Sequence, residues 1–463
     1  MSARRRNIRL EEYASTGAVT RVVVESDMNE AAPCKKPPRY AAASSHKDNE
    51  AYLAAFDNDP RLPRLDLPAA SDDATTTKAT SVPLPMLVTS TPKANVATDG
   101  SSRAPWLRGP SDSSGYVEPV SSQPLTCMSL APDMTEVVVG SCDHALYAIP
   151  LQQRKASKGK NGSGVRTLYS KTAGHGEWVT AVAHMPDGRV VSGGMDSKLC
   201  LWDSNNRCED LTGHAGSISL IRPFTENWIV SASYDKTYRL WDGAPGKRAA
   251  KAGRERHCLK GHDAPILDFS LWGNRLIGGD RNGSVLVFDL AQHAVERKAK
   301  GVHIGHCTAV LGSQHNSDHA FSGGQDGLLR MWDARSKDAV MKVSVHVSQR
   351  GTGAVSFIKD VSTMDHVIVT GGADGKVQVV DVRASNVRST FSQHTTFIYS
   401  VHVDHELCFS GSGSGMLLVH DLRTDALQYG LGANQAAVRA IATTATTLAA
   451  AGDDGGVLVY EMT

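Results

Sequence analysis

The sequence contains no apolar run long enough to cross a bilayer as a helix, which sets aside the helical membrane classes. Its first residues, MSARRRNIRLEEY, are basic but lack the apolar segment of a secretory signal. A cytoplasmic or nuclear location is therefore expected, and membrane partners are not. Net charge is nearly absent: 49 Lys and Arg against 48 Asp and Glu leave +1. No overall field then draws the protein to nucleic acid, and partners must be selected by local patches. The eight cysteines stand singly, at Cys34, Cys127, Cys142, Cys200, Cys208, Cys258, Cys307 and Cys408, without the paired spacing of a zinc site; they read as reduced thiols. No glycine-rich run ends in the Gly-Lys-Ser/Thr that cradles phosphate: the insertion at residues 152–164 lacks it, and GSGSG at residues 411–415 is followed by no helical pattern. With no metal cluster, isolated acid pair or activated nucleophile, the expectation is a non-enzyme without metal or cofactor.

What is present is repetition. Residues 174–203, GHGEWVTAVAHMPDGRVVSGGMDSKLCLWD, return several times at a spacing of about 40 residues. Within the unit, residues 178–183, 189–192 and 197–202 read as short strands separated by the Pro186-Asp187-Gly188 turn and a second tight turn. It also carries four complementary polar groups: Trp202 only donates, Ser192 and His175 do both, and Asp196 only accepts. Buried, such a chain is satisfied at every member, which fixes geometry more firmly than isolated pairs. The same types recur as His214, Ser231, Asp235 and Trp241, and as His306, Ser322, Asp326 and Trp332. A Ser, His and Asp together invite a nucleophilic triad reading, but a trio that returns at the repeat period with a Trp attached is built to hold strands together.

On these residues the chain resembles the WD-repeat family of β-propellers, whose units begin near Gly-His, end near Trp-Asp and contain this network. Eight units are legible, at residues 125–150, 174–203, 213–242, 261–289, 305–335, about 346–383, 393–423 and 434–462. The expectation is an all-β fold: a single propeller over residues 111–463 with eight blades, or seven if the ring starts at the second unit. The first unit has Asp143 but Ile149 and Pro150 where Trp and Asp belong, and the fourth has Gly278, Asn282 and Phe288 at the network positions beside His262. Neither is expected to hold the polar chain. The sixth has Thr370, Asp374 and Val380, and the seventh His394 and Ser410, with Ser414 and His420 replacing Asp and Trp. Residues 1–110 have the composition of a disordered tail, with a β-prone run at 18–25 and a possible short helix at 48–56. Because the eighth unit stops after its third strand, residues 115–120 are expected to supply the fourth and close the ring.

The resemblance implies a non-enzymatic scaffold or adaptor that binds other proteins or peptides in a multiprotein complex, with nucleic acid not expected and oligomeric state open. The alternative is a substrate receptor of a cullin-RING ubiquitin ligase, since AFSGGQDGLLRMWDAR resembles the box of such receptors and makes Arg335 the candidate adaptor contact. In this family the face bearing the turns between second and third strands, with the loops into each first strand, is a common docking surface. By that mapping the candidate binding residues are Met195, Tyr234, Arg281 and Gln325 from the turns, and Trp178 and Phe397 from the loops.

Overall fold

A computed structural model describes residues 9–13, 19–24, 104–110, 112–113, 115–151, 164–170, 173–244, 254–316, 318–336, 338–347 and 355–462. Eight four-stranded antiparallel sheets account for nearly all of them. The first strands of successive sheets touch one another in sequence, and that of the eighth (Val438–Thr443) touches that of the first (Leu125–Leu130). The result is a closed eight-bladed propeller whose first strands surround the axis. The first unit is a complete blade, its fourth strand being Arg166–Leu168 beyond the insertion, so a seven-bladed ring starting at the second unit does not occur. All eight blades lie in the unit made of residues 11–22 and 87–463, while the other unit, residues 1–10 and 23–86, falls almost wholly outside the described residues. Arg9–Tyr13 and Val19–Val24 pair with each other as a two-stranded sheet. The expected helix at 48–56 lies outside the described residues, as do residues 152–163 of the insertion.

Each blade is sandwiched between neighbours, so its second strand is buried on both faces and reads as a continuous apolar and small-residue run: Val190–Gly194 and Leu407–Ser412 are buried at every position. Outer strands alternate, as in Asn386–Phe391. The hydrophobic core is consequently not central but repeated between blades. One cluster joins Leu199 and Leu201 of blade 2 to Ile218, Ile221, Ile229 and Trp241 of blade 3. Small residues near the end of the second strand make this approach possible. A Cβ on Gly193 would lie 2.6 Å from Ile218 of the next blade, and one on Gly323 would collide with Val355.

A bulge falls at the same place in all eight first strands, between Leu125 and Cys127, Val179 and Ala181, Ile218 and Leu220, Ile266 and Asp268, Cys307 and Ala309, Val355 and Phe357, Ile398 and Ser400, and Val438 and Ala440. The extra residue re-aims a side chain that the ladder does not use. In three blades it is a threonine that reaches the next one: Thr126 Oγ1 donates to Val179 O at 2.5 Å, Thr180 to Ile218 O at 2.6 Å, and Thr308 to Val355 O.

Ring closure comes from ahead of the first blade. Tyr116–Pro119 pairs antiparallel with Gly456–Glu461 and completes blade 8. Just before it, the short helix Ala104–Arg108 carries Trp106, which is buried edge-on against Phe409 with ring centroids 5.4 Å apart and donates from Nε1 to Ala445 O at 3.2 Å.

Candidate protein-docking face

In blades 2 and 3 the four polar groups meet in the same order. Trp202 Nε1 donates to Ser192 Oγ at 3.0 Å, Ser192 lies 2.8 Å from His175 Nε2, and His175 Nδ1 lies 3.1 Å from Asp196. Trp241, Ser231, His214 and Asp235 repeat this at 2.8, 2.7 and 2.8 Å. An ionised aspartate can only accept, so Nδ1 holds the ring proton and Nε2 accepts from the serine; each donor along the chain then meets an acceptor.

Blade 5 corrects the sequence reading. Its network histidine is His303, with Nδ1 3.0 Å from Asp326 and Nε2 2.9 Å from Ser322, while Trp332 donates to the same serine at 2.9 Å. His306 stands instead at the start of the first strand, where its backbone meets Gln325. His303 precedes Cys307 by the same spacing as His175 precedes Val179 and His214 precedes Ile218, but it follows Val302 rather than a glycine, so the Gly305-His306 pair that resembles the repeat opening is not the pair the sheet uses.

The divergent blades substitute rather than lose the network. In blade 4, His262 Nδ1 lies 3.0 Å from Asp280, two residues ahead of Asn282, and Nε2 lies 3.0 Å from the hydroxyl of Tyr238, which belongs to blade 3. Gly278 leaves the space the tyrosine occupies, since a Cβ there would collide with its oxygen. Blade 6 joins His346 to Thr370 and Asp374, both at 3.0 Å, without a Trp. In blade 1, Asp143 accepts from Ser121 and Tyr147 at 2.6 Å, and Ser141 reaches Ser121 at 3.1 Å. In blade 8, Asn434 Nδ2 donates to Asp454 at 2.9 Å. Blade 7 keeps only His394 and Ser410, at 2.9 Å; His420 stacks on Phe391 at 4.0 Å between centroids.

The aspartates also bind the two loops of this face together. Asp196 accepts from the amides of Gly176 and Lys198, and Asp326 from those of Ile304 and Leu328. Burial opposes ionisation of Asp196, but the His175 hydrogen bond and the two amides outweigh it and hold the carboxyl below its ordinary range. Burial lowers His214 in spite of Asp235, which favours the neutral ring. Ser192, Ser231, Ser322 and Thr370 are fully buried, so these hydroxyls have no path to a substrate. They fix geometry instead.

The six candidate binding residues all lie at the junction of loop and turn, and all are half-buried. The backbones of Trp178 and Met195 meet at 2.9 Å, and Tyr234, Arg281 and Gln325 are tied the same way to Ser217, Pro265 and His306. Phe397, bonded by its carbonyl to Gly413, packs on Tyr399 at 4.7 Å between centroids. Arg439 lies over Tyr399 at 4.4 Å and pairs with Asp453 through two bonds of 2.6 and 2.8 Å. Two exposed aliphatics on this face were not anticipated: Ile304 is 82% exposed and Val347 66%. Each follows the network histidine of its blade, and taking His306 for that histidine hid the first.

Arg335 lies at the opposite end of the blades and turns back on Asp333, with bonds of 3.0 and 2.8 Å, its side chain 72% exposed. Arg383 and Arg423 on the same side pair with Asp365 and Glu406. Among the described residues, Cys200, Cys208 and Asp210 bring three potential metal-ligand atoms within 4.8 Å of one another.

The WD domain, G-beta repeat family matches residues 165–203, 206–242 and 298–333, the last segment starting ahead of His303. Relatives include the ribosome biogenesis protein YTM1 of Meyerozyma guilliermondii, 23% identical over 59% of this chain and 68% of that protein. A guanine nucleotide-binding protein subunit beta of Oryza sativa is 24% identical over 53% of this chain and 58% of its own. A ribosome biogenesis protein WDR12 homolog of Chlamydomonas reinhardtii is 23% identical over 50% and 59%. Among solved structures, Saccharomyces cerevisiae Sqt1 superposes with a TM-score of 0.62 at 13% identity, over 75% of this chain and 98% of that one. The computationally designed Ika8 protein does so at 0.61 and 22%, over 74% and 97%. With eight blades, repeated His-Ser-Asp-Trp networks and three matched repeats, the chain is an eight-bladed β-propeller that carries WD repeats.

Proposed function

We propose that this protein is a non-enzymatic scaffold that holds other proteins in a multiprotein complex and receives a partner on the face formed by the second-to-third-strand turns and the loops into each first strand. The observation that carries this reading is exposed apolar area on a fixed backbone: the amides of Ile304 and Val347 are bonded to Asp326 and Asp374 while their side chains stand 82% and 66% exposed. A backbone fixed before binding has little further freedom to lose on docking. Trp178, Tyr234 and Arg281 on the same face are of the types that dominate hot spots. The near balance of charge favours protein partners over nucleic acid.

Two relatives are named as ribosome biogenesis proteins, and a role in an assembly of that kind, in the cytoplasm or nucleus, fits the reading. Of the tail expected at 1–110, the part from Ala104 onward belongs to the propeller, since Trp106 packs on Phe409. Cross-linking the full chain in its native complex and mapping the linked peptides tests the proposal. Links from Lys198, Lys236 and Lys376, beside the docking turns, are expected to reach another protein. Inter-protein links confined to the outer strands or the opposite end would refute it.

A further inference from the structure

The outer two strands of blade 2, Lys198–Trp202 and Cys208–Thr212, place Cys200 directly opposite Asp210 and Trp202 opposite Cys208. Directly opposed residues share a sheet face, and so do residues two apart on one strand. Cys200, Cys208 and Asp210 therefore project to the same side, the side that packs against Val138, Leu146 and Leu168 of blade 1. Asp210 Oδ1 lies 3.6 Å from the Cys200 sulfur and 3.4 Å from that of Cys208. Two sulfurs and an oxygen around a tetrahedral zinc, with Zn–S about 2.3 Å and Zn–O about 2.1 Å, would stand about 3.6 Å apart from sulfur to oxygen. The sheet holds the three atoms near that spacing through its ladder alone.

We propose that Cys200, Cys208 and Asp210 form a binding site for a thiophilic divalent cation, zinc in the first instance, leaving the fourth position to water at the half-exposed edge of the blade. Two thiolates and a carboxylate around a 2+ ion leave one negative charge, and Lys198 Nζ, 3.1 Å from Asp210 Oδ2, neutralises it. The amide of Gly174 donates to Asp210 Oδ1 at 2.8 Å and orients the carboxylate, as outer-shell donors do in metal sites. A bound cation replaces the thiol protons, so affinity rises with pH, by up to about 100-fold per unit if two protons leave.

The test uses the full chain, reduced and metal-free, titrated with cobalt(II) and then displaced with zinc(II). One equivalent of cobalt should bind with thiolate-to-metal charge-transfer absorption and tetrahedral visible bands, and zinc should abolish them. Cys200→Ser and Cys208→Ser should each remove the signal. Asp210→Asn, which keeps the size of the side chain, should weaken binding by at least about 10-fold, whereas Cys258→Ser on blade 3 should leave it intact. Melting of each variant without metal separates loss of ligand from loss of fold; if Cys200→Ser fails to fold, the half-buried Cys208→Ser and Asp210→Asn decide. No cobalt bound, or a signal that survives replacement of either cysteine, overturns the site and leaves the two sulfurs as simple hydrogen-bond donors to Asp210.

Discussion

Tyr238 of blade 3 places its hydroxyl 3.0 Å from Nε2 of His262 in blade 4, filling the space that Gly278 leaves open. One blade thus completes the network of the next. Tyr238→Phe should leave a buried ring nitrogen without its donor and cost about 1–3 kcal/mol in chemical denaturation. Gly278→Ala should cost about 1–3 kcal/mol by overpacking. Since both act through one oxygen, the double change should cost less than the sum; strict additivity would mean that the two positions are independent.

The reassignment within blade 5 has its own test. His303→Ala removes the group between Ser322 and Asp326 and should destabilise by about 1–3 kcal/mol. His306→Ala, which touches neither by its side chain, should cost clearly less. Equal losses in urea unfolding would contradict the assignment.

How much of this was legible in the sequence depends on how each feature is encoded. Period and turn chemistry sit within one unit, so the ring, its eight blades and the closing strand at 116–119 could be read, with strand bounds off by about a residue. The Ser192-His175-Asp196-Trp202 chain was readable because its spacing is undisturbed. His303 was not, because it follows Val302 while the nearby Gly305-His306 carries the Gly-His signature. Tyr238 with His262, and Cys200 with Cys208 and Asp210, are partners across strands or blades. They depend on register and stacking, which one repeat unit does not spell out.

Stability should fall in mild acid. Burial lowers His184, His394 and His402 to about 4 and His420 to about 3, the last also through His394. The unfolded chain titrates these rings near 6.5, so between that pH and about 4 it takes up protons that the folded protein refuses. Stability is full above about 6.5 and declines below it, by up to about 1.4 kcal/mol per pH unit for each ring. Melting measured from pH 7.5 to 5 should show the decline, and His420→Phe, which keeps the stack on Phe391, should make it shallower. A flat profile over that range would contradict the burial of these rings.

Closure by the strand at 116–119 and by Trp106 predicts an asymmetric response to shortening. Removing residues 1–100 should leave the melting temperature nearly unchanged, whereas removing 1–124 exposes the edge of Gly456–Glu461 and should lower it clearly. Trp106→Ala alone should cost about 3 kcal/mol through the cavity left against Phe409 and Tyr429. Equal melting of all these proteins would show that the ring closes without them.

Docking on the face held by the His-Asp networks makes Ile304 and Val347 the residues to change. Its most direct measurement compares the affinity of the principal co-purifying protein for the unmodified chain, for Ile304→Asp with Val347→Asp, and for Arg335→Glu at the opposite end. Both substituted proteins should melt close to the unmodified one, since these side chains are exposed. The double change should weaken binding by at least about 2 kcal/mol, while Arg335→Glu leaves it unaltered. Full binding by the double variant, with loss on changing Arg335, would place the partner at the other end of the propeller and contradict the account.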